Sequence, residues 1–168
     1  MKKIFVPLLL LMSGLSFVGQ DMKDCPMHKD NQSDVEKRGD QGMGFPHDKT
    51  THHFRLYPDG GAIEVVANDA KDDADIKAIR SHLTHIAMMF SDGNFSIPMF
   101  IHDQVPPGVD VMKNHRSEIS YTFEEAPSGA RVRIKTKSEE PLKAVHDFLR
   151  FQIEDHHTGD STEISSLL

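Results

Sequence analysis

One pattern occurs twice in this chain, and it restricts the fold more than any other feature. The segment His52-His53-Phe54-Arg55-Leu56-Tyr57 alternates polar with apolar, breaks at Pro58-Asp59-Gly60-Gly61, and resumes as Ala62-Ile63-Glu64-Val65-Val66-Ala67. Period-two alternation on both sides of a Pro/Asp/Gly break is the signature of a β-hairpin. Asp72 or Asp73 then caps a helix whose apolar residues, Ile76, Ile79, Leu83, Ile86 and Phe90, recur at helical spacing and stop near Gly93. The same order returns from Ile119 to Glu125, through Pro127-Ser128-Gly129, over Arg131 to Lys135, and into a helix led by Ser138 with Leu142, Val145, Leu149 and Ile153 inward. The two copies are offset by 66 to 69 positions, from Ile76 to Leu142 and from Phe54 to Phe123.

Each helix has a single apolar stripe to bury, so the simplest assembly is α+β. Two ββα repeats form a four-stranded antiparallel sheet with both helices on one face. Phe54, Leu56, Ile63, Val65, Tyr121, Phe123, Val132 and Ile134 are expected to face the helices. Arg55, Glu64, Glu124, Arg131, Arg133 and Lys135 are expected to form cross-strand charge pairs on an open, solvated face. The connection from Phe95 to Glu118 is long for a compact domain, and its apolar content predicts that it packs.

The flanks read differently. Lys2 and Lys3 precede an apolar run from Ile4 to Val18, and a polar stretch follows Gln20, the order of a secretory signal peptide over residues 1–20. The run is shorter than the roughly 20 residues that span a bilayer. No transmembrane segment is therefore expected after its removal, and the mature chain is expected to be periplasmic or secreted. Residues 21–50 are rich in charge and nearly lack β-branched and aromatic residues, which predicts a flexible polar tail. The domain is expected to cover 51–160, with repeats at about 51–93 and 118–158, and 161–168 forms a C-terminal tail. With 19 basic against 26 acidic residues, the net charge of −7 excludes a dedicated nucleic-acid binder. The single cysteine, Cys25, excludes an intrachain disulfide and any multi-thiolate metal site.

The combination Gly42-Met43-Gly44-Phe45, Lys49-Thr50-Thr51-His52-His53-Phe54, Ile97-Pro98-Met99-Phe100-Ile101-His102-Asp103-Gln104 with Pro106-Pro107-Gly108, and Phe148-Leu149-Arg150-Phe151-Gln152-Ile153 resembles a family of small exported bacterial proteins without an established activity. The resemblance covers roughly residues 40–160. Chains of this type sometimes carry the label aspartate carbamoyltransferase, which these residues do not support. The Ser-Thr-Arg-Thr phosphate loop of that enzyme family is missing, and the chain is much too short for it.

Eleven histidines form the compositional oddity, and imidazole is both a common metal ligand and a group that titrates near neutral pH. His82 and His85, at i and i+3 on the first helix, share a stripe with Ala78 and Met89 beside the core stripe. With His52 approaching from the sheet and Met89 or Asp155 nearby, they form an expected zinc or copper site. The competing reading is plain packing, because the equivalent positions in the second repeat are Phe148 and Phe151. Cys25-Pro26-Met27-His28 is a separate soft-metal candidate whose thiolate, thioether and imidazole suit Cu(I); it resembles an element of heavy-metal-binding segments in copper-transport proteins. His102-Asp103 is a further candidate, as a carboxylate-oriented base or an extra ligand. His156-His157 is expected to complement the negative end of the last helix.

No nucleophile elbow, phosphate loop, dinucleotide fingerprint or His-Glu-x-x-His is present in the sequence. The leading expectation is therefore an exported binding protein for a metal ion, without catalysis. An envelope module that binds a protein partner through its sheet face or edge comes second, and an enzyme of unknown reaction third.

Overall fold

The computed structural model describes residues 26–165, and their side chains from residue 33 onward. The signal peptide expected over 1–20, together with Cys25 and the side chains of Met27 and His28, lies outside the described residues. Helix α1 (Pro26–Met43) precedes strands β1 (Thr50–Tyr57) and β2 (Gly60–Ala67) and helix α2 (Asp73–Ser91). Two short helices, α3 (Ser96–His102) and α4 (Val109–Asn114), lead into β3 (Ile119–Ala126), β4 (Gly129–Thr136) and α5 (Glu139–Asp155).

The protein is α+β, with one four-stranded antiparallel sheet in the order β1-β2-β4-β3. The repeats meet along β2 and β4, and register carries one apolar row across all four strands: Phe54 opposite Ile63, Ile63 opposite Val132, and Val132 opposite Phe123. This row faces the helices, as the alternation predicts. Its members are buried except Phe123, which lies partly exposed near the edge.

Asp72 caps α2 by accepting a hydrogen bond from the Asp75 amide, one of the four amides that the first helical turn leaves unpaired. Ile76, Ile79, Leu83, Ile86 and Phe90 are all buried, so the predicted stripe is the core stripe. On α5, Val145, Leu149 and Ile153 are buried, whereas Leu142 is only partly so. Each helix lies mainly across the other repeat's hairpin, α2 over β3 and β4 and α5 over β1 and β2. The two repeats are therefore interleaved instead of standing side by side. The connection packs as expected, with Phe95, Val109 and Met112 fully enclosed.

The tail expectation needs correction over 26–43, which forms α1 and lies against α3. Val35 and Gly39 are buried, the Arg38 Nε donates to the Ile101 carbonyl at 2.7 Å, and Gly42 sits against Ile101 and Phe100. Val35, Gly39, Gly42 and Met43 form a stripe at helical spacing. Half of it is glycine, so it adds little to an apolar pattern while allowing close helix approach. At the other end, the last residue of the expected domain and part of the expected C-terminal tail follow β1: the Asp160 carboxylate accepts from the Phe54 amide at 2.9 Å, and the Ser165 amide donates to the Leu56 carbonyl at 2.9 Å.

The open face behaves as the alternation predicts. Arg131 bonds Glu124 at 2.6 Å and Arg55 approaches Glu64 at 3.8 Å. Arg133 departs from this pattern, since it is buried, reaches Asp59 and the Gly61 carbonyl, and lies over the Tyr57 ring.

Candidate functional site

The alternation that buries Phe54 and Leu56 also turns His52, two residues earlier, toward the helices. There it meets His82 from α2 and His156, the residue that caps the C-terminal end of α5. These imidazoles line a cavity of about 60 Å³, lined otherwise by Phe54, Ile63, Phe90, Ile101, Phe148 and neighbouring apolar side chains, together with Met43 and Gln152. A second cleft of about 190 Å³ lies beside it between the C-terminal half of α1, the start of β1 and Thr158. Met43, His52 and His156 line both spaces and so form the wall between them.

The wall is compact. His52 Nε2 is 3.1 Å from the Met43 sulfur, and the His52 and His156 rings are parallel within 3° at a centroid distance of 6.0 Å. Phe45 stacks on His52 and meets His82 edge-on at 5.6 Å. Burial, reinforced by His82, His53 and His47, lowers the pKa of His52 to about 4. Burial with His85 lowers His82 to about 4, and burial with His102 and His52 lowers His156 to about 3. All three rings are neutral at neutral pH, so each keeps a nitrogen lone pair available for a ligand.

Behind the wall, His102 is buried between Phe151 and His156, with ring centroids 4.9 Å from each. Its Nδ1 lies 2.5 Å from the Asp155 carboxylate and its Nε2 lies 3.0 Å from Gln152 Oε1.

The expected trio of His52, His82 and His85 is not assembled. His52 and His82 share the cavity, but His85 is exposed. At 3.6 residues per turn its position lies about 140° from the centre of the α2 apolar stripe, whereas His82 lies about 80° from it. Met89 is partly buried against the core and does not line the cavity. His102 and Asp103 diverge because α3 ends between them. Asp103 takes the left-handed conformation at φ 52° and is exposed, while His102 turns inward to Asp155. Among the described residues, no three His, Cys, Asp or Glu side chains form a group that could hold a metal ion.

Sequence reasoning missed two members of the wall. Met43 stood in the expected tail, and His156 was expected to act as a cation at the helix end. Its ring is desolvated and neutral, so it cannot complement the helix dipole. The signal for Met43 was its place at the end of a thin Val/Gly stripe. The signal for His156 was its spacing of four residues from Gln152, on a line that ends at the cavity.

No helix among the described residues is long and apolar enough to cross a membrane. Comparison with protein-family models, curated proteins and solved structures returns no match to this chain.

Proposed function

We propose that the protein is an exported binding protein for a soft metal ion, Cu(I) in preference to Zn(II), held by Met43, His52 and His156 without catalysis. The observation that carries this reading is the 3.1 Å approach of the Met43 sulfur to His52 Nε2, next to a parallel, neutral His156 ring. A thioether with imidazoles is a soft donor set of the kind that selects Cu(I). All three donors are uncharged, so the set suits a monovalent ion better than a dication whose charge would remain uncompensated in a partly buried site. The His102–Asp155 pair orients the ring that packs against His156, as second-layer carboxylates do around metal-binding imidazoles. Cys25, Met27 and His28 are proposed as a separate capture site on the N-terminal side.

The test is titration of tag-free protein with Cu(I) against a competing chromophoric chelator, then with Zn(II). One equivalent of domain-bound Cu(I), weakened at least tenfold in Met43→Leu and His156→Gln but retained in a Cys25→Ser/His28→Gln variant, is the expected result. Wild-type protein that takes up no Cu(I), or a domain site indifferent to Met43→Leu, would overturn the assignment.

A further inference from the structure

We infer that the cavity lined by Gln152 is a binding site for a small neutral molecule that is mainly apolar and carries one hydrogen-bond acceptor recognised by Gln152. Two observations meet there. The first is the cavity itself, about 60 Å³ and lined largely by Phe54, Ile63, Phe90, Ile101 and Phe148. Since one water occupies about 10–15 Å³ in such a measure, the space suits a molecule of about four to six non-hydrogen atoms.

The second is Gln152, which is 4% exposed, lines the cavity, and has its Nε2 buried without a hydrogen-bond partner. Its orientation is set from behind. The Asp155 carboxylate accepts from Nδ1 of His102, and Nε2 of the same ring donates to Gln152 Oε1. The amide oxygen is thereby engaged, and the amide nitrogen is left as the donor. Buried donors are nearly always paired, so an orphan beside a cavity implies an acceptor that belongs there. The remaining polar points, His52, His82 and His156, are uncharged and hold no counter-ion for a charged guest. The ligand class is therefore a short ketone, aldehyde, ether or ester.

This cavity shares Met43, His52 and His156 with the proposed metal site, so it is tested on metal-free protein with butan-2-one and n-pentane, probes of equal heavy-atom count. Binding is followed by NMR of the full chain, with the Gln152 side-chain amide as reporter. The expected result is saturable butan-2-one binding that shifts the Gln152 amide signal, with pentane at least tenfold weaker and Gln152→Leu abolishing the difference. Because Gln152 also holds His102, a second variant, Ile97→Phe, narrows the cavity from its rim without touching that contact, and it should remove butan-2-one binding. Equal affinity for the two probes, saturation by neither, or unchanged binding in Ile97→Phe would each overturn the inference.

Discussion

Arg80 and His146 occupy equivalent places in the two repeats, and each donates to the pair of carbonyls that flank the turn of the opposite hairpin. Arg80 reaches the Ala126 and Gly129 oxygens at 3.0 and 3.2 Å; His146 reaches those of Tyr57 and Gly60 at 2.9 and 3.0 Å. The two helices are thus pinned across the sheet by the same device built from different side chains. Arg80 stands at the edge, with its side chain 35% exposed, whereas His146 is 6% exposed. Water can replace Arg80 at its carbonyls but cannot readily reach those beneath His146. His146→Leu should therefore cost about 2–3 kcal/mol and Arg80→Met about 1 kcal/mol or less. Urea denaturation of the two variants measures the difference, and equal costs would contradict it.

The pairing of His102 with Asp155 predicts a second asymmetry. Asp155→Asn removes the charged partner of a buried imidazole and should destabilise by about 2–3 kcal/mol, since hydrogen bonds to charged groups are among the strongest. Asp103→Gly, at the left-handed residue next to His102, should be neutral or stabilise by up to about 1 kcal/mol. Chemical denaturation distinguishes the two, and a large loss at Asp103 would argue against the assigned geometry.

Acid should unfold the protein earlier than carboxylate titration alone would. His52, His82 and His156 are held at about 4, about 4 and about 3 in the folded chain, against an ordinary value of 6.5. Between those values the unfolded chain binds protons that the folded chain refuses, so stability falls as pH drops from about 6.5 towards 4 and is constant above it. Each group contributes at most about 3–5 kcal/mol over that window. Asp155 acts lower on the scale. Burial pushes its carboxyl up, but the hydrogen bond and charge of His102 prevail and hold it below its ordinary 3.8, so its contribution persists until pH falls below about 4. Circular dichroism against pH should show loss of structure beginning near pH 6. His156→Gln, having no proton to take up, should make the dependence shallower.

Gly108 and Gly159 both adopt positive φ, at 83° and 75°, but only one is enclosed. A Cβ on Gly108 would lie 2.1 Å from the Ala144 carbonyl of α5, whereas one on Gly159 meets nothing within 4 Å. Gly159→Ala should cost about 1 kcal/mol, the conformational penalty alone. Gly108→Ala must also displace a helix backbone, and should cost at least about 3 kcal/mol or prevent folding. Thermal melts of the pair would show the gap.

Arg133 should matter more than its neighbours on the open face. Its guanidinium joins Asp59, the Gly61 carbonyl and the Tyr57 ring in a buried setting. Arg133→Ala should cost about 2–3 kcal/mol, with Lys a poor substitute because it lacks the planar fork. Removing the exposed Arg55–Glu64 pair should change stability by less than about 0.5 kcal/mol.

The repeat, both hairpins, the α2 and α5 stripes and the inward residues of the sheet were all legible in the sequence, because period and turn chemistry are local. A residue two positions from Phe54 must share its face, so His52 was bound to point inward. The tertiary structure alone decided which inward residues meet. Alternation does not specify that β2 pairs with β4, that each helix crosses to the other repeat, or that His102 passes over its neighbour Asp103 for Asp155, 53 residues later. Helix α1 escaped notice because half of its contact stripe is glycine, and Val35 and Met43 alone are too few to show a hydrophobic period. Met43 and His156 become neighbours of His52 only when α1 packs on α3 and α5 ends beside β1. Local chemistry sets the face each side chain presents; the burial of all faces at once in a single close-packed core sets its partner.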